Sequence, residues 1–354
     1  MTRSSGRDHN RIVTWLFIGV VMVFVQILLG GVTRLTGSGL SITKWDIVTG
    51  TIPPLTHAQW EEAFAQYRET PQYRQINQGM SLGQFTFIYF WEYIHRLWAR
   101  SMGFVFLIPF LFFLFRRSLQ WATLSRLFIV IFIASLAALF GWIMVASGLI
   151  SRPWVNAYKL TVHLALGISL FLYLFYTWIR EKGYSFIPIQ KKWRSLFRVL
   201  LVLVVIQVLL GGLVSGMKAA LNYPTWPLMG GDILPGVLMD NSHWHPDTFL
   251  FYDQSVFMPA LVQFLHRNMA YLILLISLYF GMRWIKEQPS HLHWVMYGWL
   301  GIIVVQVVLG ILTLLQSIGS IPVLQGSLHQ GVGILVITYL VFINLRIKEN
   351  PMIN

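Results

Sequence analysis

Four histidines lie inside long apolar stretches of the sequence, where ionisable side chains are rare. They are His95, His163, His266 and His329. Each precedes an arginine by roughly five to six helical turns, and that arginine stands at the end of its apolar stretch. The four histidines are therefore predicted to lie at one depth in a membrane. An ionisable side chain at such a depth is costly and is usually functional.

Paired histidines at one depth suggest metal binding. Two facing imidazoles on neighbouring helices can supply both axial ligands of one haem iron. The pattern therefore predicts two haem sites, each held by two histidines. The alternative is that each histidine is a polar tether that forms a hydrogen bond between helices.

The remaining histidines are predicted to lie in loops or at helix ends and to be solvated. They are His9, His57, His243, His245, His291 and His293. His243 and His245 could together bind a metal ion, but the sequence offers them no complete ligand set.

The residues around two of the haem-site histidines differ in chemistry. Glu92 stands three residues before His95, whereas Gln263 stands three before His266. Because residues i and i+3 share a helix face, Glu92 is predicted to face whatever His95 coordinates, where a carboxylate can take a proton or stabilise positive charge. The first half is thus predicted to do chemistry and the second to hold a permanent cofactor. The alternative is that Glu92 only pairs with Arg96.

Two arginines follow these histidines directly. Arg96 and Arg267 are candidate contacts for haem propionates, because a guanidinium matches a carboxylate in a bidentate manner. The alternative for Arg96 is that it extends toward the membrane interface.

The elements that must position these residues are apolar helices. The chain has 354 residues, of which 56% are hydrophobic and 11% charged, whereas a soluble domain has about 25% charged residues. Eight apolar stretches are long enough to span a bilayer, and backbone polar groups in lipid favour helix for each. The sequence predicts an all-α integral membrane protein with spans at 12–32, 85–115, 127–150, 155–179, 196–214, 258–284, 294–315 and 323–345.

Charge and cysteine content restrict the function further. The net charge of +13 is concentrated in alternate loops, and positively charged loops stay on the cytoplasmic side. This predicts cytoplasmic termini, histidines in the outer part of the membrane, and no nucleic acid partner. The chain has no cysteine, which excludes disulfides, iron–sulfur clusters, thiolate ligation and covalent haem attachment. The absence of an amphipathic presequence favours a bacterial plasma membrane.

The two halves of the sequence resemble each other. The segment Gln26-Ile-Leu-Leu-Gly-Gly matches Gln207-Val-Leu-Leu-Gly-Gly, and each is predicted to end a helix. Further matches pair Trp45 with Trp226, His95 with His266, and His163 with His329. The chain is therefore predicted to form two pseudo-symmetric four-helix bundles, residues 1–183 and 184–354, related as parallel repeats.

The first outer loop is long and patterned. Its motifs are Gly30-Gly-Val-Thr-Arg-Leu-Thr-Gly-Ser-Gly-Leu, Pro53-Pro-Leu, Trp60 with Phe64 and Tyr67, Pro71 with Tyr73, and Asn77 with Met80. The apolar stretch that follows the loop contains the motif Glu92-Tyr-Ile-His-Arg. The loop is predicted to cap the outer end of the first bundle, or to be an interfacial lid without specificity. Through these motifs, and over about residues 10–346, the chain resembles the haem A synthases of proteobacterial and mitochondrial type.

The resemblance implies a reaction and a distribution of roles. Such enzymes oxidise the C8 methyl group of haem O to a formyl group and so make haem A for terminal oxidases. His95 and His163 would bind the substrate haem O in the first bundle, with Glu92 as the catalytic carboxylate. His266 and His329 would ligate a cofactor haem b in the second. Other members carry cysteine pairs in outer loops, and this chain has none.

A second function class suits the same histidines. A dihaem membrane cytochrome b would carry electrons without chemistry on haem, but its haems would lie near opposite faces of the membrane. A transporter would need an ionisable or broken-helix site near the midplane, and the sequence shows no acidic residue there. The expected partners of a haem A synthase are haem O, the lipid bilayer, a haem O synthase and an electron acceptor.

Overall fold

The chain is almost entirely helical. In the computed structural model, residues 6–44, 49–150 and 153–349 are described. The helices are α1 (Gly6–Leu35), α2 (His57–Arg68), α3 (Pro71–Gln75), α4 (Leu82–Phe115), α5 (Trp121–Gly148), α6 (Ala157–Lys182), α7 (Lys191–Gly216), α8 (Gly236–Met239), α9 (Pro246–Leu250), α10 (Phe257–Glu287), α11 (His293–Leu315) and α12 (Val323–Arg346). Short 3₁₀ turns occupy Thr49–Thr51, Ala219–Leu221, Asn241–His243 and Ser290–Leu292.

Eight of these helices are long and apolar enough to cross a membrane, which confirms the predicted all-α membrane architecture. They are α1, α4, α5, α6, α7, α10, α11 and α12. Most of them extend several residues beyond the predicted spans. The predicted spans include only the apolar residues, whereas the backbone hydrogen bonds of each helix continue into the polar residues on either side. At the start of α4, for example, Ser81 and Gln84 form a reciprocal capping box.

The described residues also contain two short β-strands. β1 (Ile187–Ile189) and β2 (Ile347–Glu349) pair in parallel, with Ile187 opposite Ile347. Both lie just beyond the ends of long helices, where the backbone groups leave the helical ladder and need other partners.

The chain divides into two compact units between Gly183 and Tyr184. In the first bundle, α1 packs against α4 and α6, and α5 packs against α6. Among the described residues, α4 and α5 make little contact, and the aromatic rings of Phe110 and Phe128 provide one such contact at 6.0 Å. The helices therefore form an open chain of interfaces.

In the second bundle the interfaces form a closed ring. α7 packs against α10 and α12, and α11 packs against the same two helices. The α10–α11 interface is close at Gly281, where an added Cβ would lie 2.9 Å from Leu300. It also contains a buried hydrogen bond of 2.9 Å, which Trp299 Nε1 donates to Ser277 Oγ. Helices α10 and α11 are thus in direct contact. Their counterparts in the first half of the sequence, α4 and α5, make few contacts among the described residues.

An aromatic cluster covers one end of the first bundle. Phe64 and Tyr67 on α2 are buried against Phe85 and Ile88 on α4. The Phe64 and Phe85 rings stack with their centres 4.9 Å apart. The loop motif of Trp60, Phe64 and Tyr67 therefore lies on a helix that packs against the bundle. Trp45, which the sequence matches with Trp226, lies outside the described residues.

Tyr67 joins three segments of this cover. Its hydroxyl donates to Gln72 Oε1 at 3.1 Å and accepts from Asn77 Nδ2 at 2.6 Å, while Gln72 Nε2 donates to the carbonyl of Gly37 at 3.0 Å. Burial raises the pKa of Tyr67 to about 12. Tyr67 therefore remains a protonated donor throughout the physiological pH range.

Replacing Tyr67 by phenylalanine is expected to destabilise the first bundle. The change leaves the buried Gln72 and the half-buried Asn77 without their shared partner, and an unsatisfied buried polar group typically costs about 1–3 kcal/mol. A lower midpoint of thermal unfolding, followed by tryptophan fluorescence in detergent, would show the loss. Tyr73→Phe is the matched control, because the Tyr73 hydroxyl accepts only one long, exposed bond of 3.4 Å. Equal midpoints for the two variants would contradict the role given to Tyr67.

Candidate haem sites

The second bundle places the side chains of His266 and His329 next to each other. His266 projects from α10 and His329 from α12, and their ring centres are 6.4 Å apart with the rings nearly perpendicular. Two metal–nitrogen bonds of about 2 Å each, together with the distance from each nitrogen to its ring centre, give a separation of roughly 6 Å. The pair therefore has the spacing of two axial ligands of one metal ion.

The polar atoms around this pair are incompletely satisfied. Nε2 of His266 lies 3.4 Å from the Gln207 amide nitrogen, and Nε2 of His329 lies 3.4 Å from that of Gln306. Among the described residues, the buried Nδ1 atoms of His266 and His329 and the buried Oε1 atoms of Gln207 and Gln306 have no hydrogen-bond partner. Such orphaned atoms usually have a ligand or water as a partner. The chemistry and the spacing both fit a haem held between two imidazoles.

The first bundle places His95 on α4 and His163 on α6, and α1 packs against both of these helices. His163 Nδ1 lies 3.0 Å from the carbonyl oxygen of Ala137 on α5. Because a carbonyl oxygen can only accept, Nδ1 is the protonated nitrogen, and Nε2 carries the lone pair that a metal needs. His163 is therefore held in the tautomer of an Nε2 ligand.

Glu92 is buried, with 3% of its surface exposed, and both of its oxygens have donors. Oε2 accepts from Ser41 N at 2.7 Å, Ser41 Oγ at 2.7 Å and Ile42 N at 2.9 Å. Oε1 pairs with Arg96 at 2.5 Å. The ion pair of the alternative interpretation is thus present, and the carboxylate is also anchored to the loop that follows α1.

Gln263, the counterpart of Glu92, contacts its loop in the opposite sense. Its Nε2 donates to the carbonyl of Tyr223 at 2.9 Å, and its Oε1 is buried without a donor among the described residues. A carboxylate could not replace this amide without repelling the carbonyl. The Glu92 carboxylate therefore faces backbone N–H groups, which it can accept from, whereas the Gln263 amide faces a backbone carbonyl, to which it can donate.

Arg96 and Arg267 also contact these loops. Arg96 donates to the carbonyls of Ile42 and Lys44 at 3.1 and 3.0 Å. Arg267 donates to those of Tyr223 and Leu228 at 2.9 and 3.3 Å. The buried Nε of Arg267 has no acceptor in the part of the chain that the structure describes. Arg267 therefore retains a donor for an anionic group.

The remaining histidines form no metal site among the described residues. No group of three or more histidine, aspartate or glutamate side chains is arranged to hold a metal ion there. His243 stacks on Phe257 and lies 3.9 Å from Asp240, and His245 lies 2.9 Å from the hydroxyl of Thr248.

Sequence reasoning missed the neighbours of the histidines. The Gly-Gly pairs were predicted to end α1 and α7, but α1 continues to Leu35 and α7 to Gly216. That prediction was wrong, because glycine here serves close helix packing rather than a cap. Gly30 lies against His95 and Gly211 against His266. The same spacing of glutamine and glycine recurs at Gln306 and Gly310, which is the signal that could have revealed it.

Comparison with known proteins gives a consistent result. The family described as cytochrome oxidase assembly protein, COX15-CtaA, matches residues 13–341. A haem A synthase of Brucella anthropi is 37% identical over 343 residues, which cover 96% of this chain and 93% of that protein. Haem A synthases of Brucella ovis and Brucella melitensis are each 36% identical over 341 residues, covering 96% of this chain and 92% of theirs.

Proposed function

Because the chain belongs to the COX15-CtaA family of haem A synthases, which are oxidoreductases of cytochrome oxidase assembly, we propose that its first bundle converts haem O to haem A while its second holds a haem b. The substrate is bound between His95 and His163, and the cofactor between His266 and His329. The observation that carries this assignment is the asymmetry between Glu92 and Gln263 beside otherwise equivalent histidines.

The first bundle has the residues that oxidation of a haem substituent requires. His163, with Nδ1 bonded to the carbonyl of Ala137, presents Nε2 to the iron of haem O. Glu92 is the proposed catalytic carboxylate beside the C8 methyl group. Ser41 and Arg96 hold its two oxygens and so fix its position relative to His95, one helical turn away. A positioned carboxylate can accept the proton released as the methyl group is oxidised.

The second bundle has the residues that a permanent cofactor requires. The imidazoles of His266 and His329 hold the haem b iron, which when bound supplies a centre for one-electron transfer. The buried Nε of Arg267 is a donor for a propionate. Arg96 is the corresponding candidate in the first bundle. Because Gln263 cannot act as an anionic base, this site lacks the group proposed for chemistry.

The sequence also supports a proposal for the membrane, the orientation and the partners of the enzyme. We propose that it lies in a bacterial plasma membrane with both termini in the cytoplasm, as the basic loops predict. Its partners are haem O, a haem O synthase that supplies it, and an electron acceptor. Because the chain has no cysteine, no step of its mechanism uses the loop thiols of other members.

Co-expression tests the function directly. Cells that make haem O but no haem A should accumulate haem A when they also produce this chain, as chromatography of extracted haems would show. The His95→Ala variant is the matched control, because it removes a proposed substrate ligand from the first bundle and leaves the second intact. The rival function, a dihaem cytochrome b, predicts bound haem but no haem A in any of these cells.

A further inference from the structure

We propose that four glycines, one on each of α1, α5, α7 and α11, are positioning residues that set the orientation of the haem-binding histidines. They are Gly30, Gly141, Gly211 and Gly310. The inference rests on the proposed function, since it concerns the histidines assigned to haem. It adds to that function the residues that determine how each imidazole is presented.

Each histidine ring lies directly against one of these glycines. A Cβ added at Gly141 would lie 2.9 Å from Cε1 of His163, and one at Gly310 would lie 2.9 Å from Cε1 of His329. Carbon atoms in contact are normally about 3.5–4.0 Å apart. The ring would therefore have to move whenever the glycine gained a side chain.

The other two contacts are slightly longer. A Cβ at Gly211 would lie 3.2 Å from Cε1 of His266, and one at Gly30 would lie 3.2 Å from Nε2 of His95. Each glycine thus faces the histidine of a different long helix in its own bundle. One such contact could be an accident of packing, but here it occurs at all four histidines.

The glycine in α5 also makes a hydrogen bond accessible. Ala137 precedes Gly141 by one helical turn, so the carbonyl of Ala137 is the helical acceptor for the Gly141 N–H. Without a Cβ at position 141, His163 Nδ1 can reach that same carbonyl at 3.0 Å. A Cβ there would lie 3.4 Å from Nδ1 and 2.9 Å from Cε1. Displacing the ring would therefore also loosen the bond that fixes its tautomer.

In the other three helices a glutamine precedes the glycine by one turn. Residues i and i+4 share a helix face, so each glutamine lies beside the same histidine as its glycine. Gln26 and Gln207 donate to the backbone carbonyls of His95 and His266 at 3.2 and 3.0 Å. Gln306 lies 3.4 Å from Nε2 of His329. The glycine gives the ring its space, and the residue one turn earlier supplies a polar contact.

The orientation of an imidazole determines how well it binds a metal. Groups that orient a metal-binding histidine typically change the affinity for the metal by about 10- to 100-fold when they are altered. A methyl group that displaces the ring should therefore weaken haem binding even though both ligands remain in the sequence.

The second bundle allows a matched test. Gly310→Ala is expected to bind haem b roughly 10- to 100-fold more weakly, measured by titrating the haem-depleted protein and following the low-spin absorbance. Gly301→Ala is the control, because it adds the same methyl group to the same helix at a point where, beyond the local helix backbone, no atom of the described residues would lie within 4 Å of the new Cβ. It should match the parent protein. Equal affinities for the two variants would overturn the inference.

The first bundle gives a second test with an internal check on folding. Gly141→Ala should retain its haem b spectrum, which shows that the protein is folded, but should bind added haem O roughly 10- to 100-fold more weakly. Gly103→Ala is the control, because a Cβ at Gly103 would also meet no atom of the described chain within 4 Å beyond its own helix backbone. His163→Ala separates the two hypotheses. If it loses haem O while Gly141→Ala does not, the glycine role is wrong; if neither loses it, the proposed substrate site is wrong as well.

Discussion

Glu92→Gln is expected to stop haem A formation while leaving the haem b of the second bundle in place. The variant keeps the size of the side chain but removes its ability to accept a proton, and loss of a positioned acid or base typically costs about 10²- to 10⁴-fold in rate. The haem A produced per unit of purified enzyme, quantified by chromatography, measures the effect. The haem b absorbance of the same sample shows whether the second bundle is intact.

Two further variants separate chemistry from loop structure. Glu62→Gln is the matched control, because Glu62 is an exposed carboxylate in the same bundle, 4.0 Å from Lys44, and its loss should not change haem A output. Ser41→Ala removes one of the donors to Glu92 but keeps the charge. It should retain more activity than Glu92→Gln. Normal haem A output from Glu92→Gln would exclude this residue from the mechanism.

His266→Ala is expected to abolish the low-spin b-type absorbance of the purified enzyme. His266 and His329 are placed as the two ligands of one iron, and a single remaining imidazole leaves the metal with one axial position unfilled by protein. The expected result is loss of most of the bound haem, or a change of the remainder to a high-spin spectrum. His245→Ala in the same half of the chain is the control, because His245 lies outside the long helices and its ring nitrogens lie within hydrogen-bond distance of the Thr248 hydroxyl. A spectrum of His266→Ala that matched the parent protein would place the cofactor elsewhere.

The membrane architecture could be predicted from the sequence because lipid imposes a strong and simple requirement. About 20 apolar residues and internal backbone hydrogen bonding suffice to identify each span, and all eight are present as helices. The common depth of the four histidines was likewise predicted from distances along a helix, which the sequence contains directly. The pairing of His266 with His329 was implied by the resemblance to haem A synthases, because depth alone does not distinguish among four histidines.

The contacts between helices and loops could not be predicted in this way. Glu92 and Gln263 differ in whether the loop backbone presents N–H groups or a carbonyl to them, and the direction of a loop peptide does not appear in a residue pattern. The same is true of Arg96. Its guanidinium donates hydrogen bonds to the backbone carbonyls of Ile42 and Lys44, which the sequence pattern does not indicate. Both cases depend on contacts with residues 40 to 54 positions away along the chain.

The helix interfaces form an open chain in the first bundle and a closed ring in the second, and this difference bears on how a haem could enter or leave each bundle from the lipid. To part α10 from α11, the second bundle must break the hydrogen bond between Trp299 and Ser277 and separate the tight contact at Gly281. Among the described residues, separating α4 from α5 would break few contacts, of which the one between Phe110 and Phe128 is an example. A substrate has to enter and its product leave at every turnover, whereas a permanently bound cofactor has to do neither. The bundle assigned to the substrate is the one with the smaller interface between these two helices, and the bundle assigned to the cofactor has the corresponding helices in direct contact.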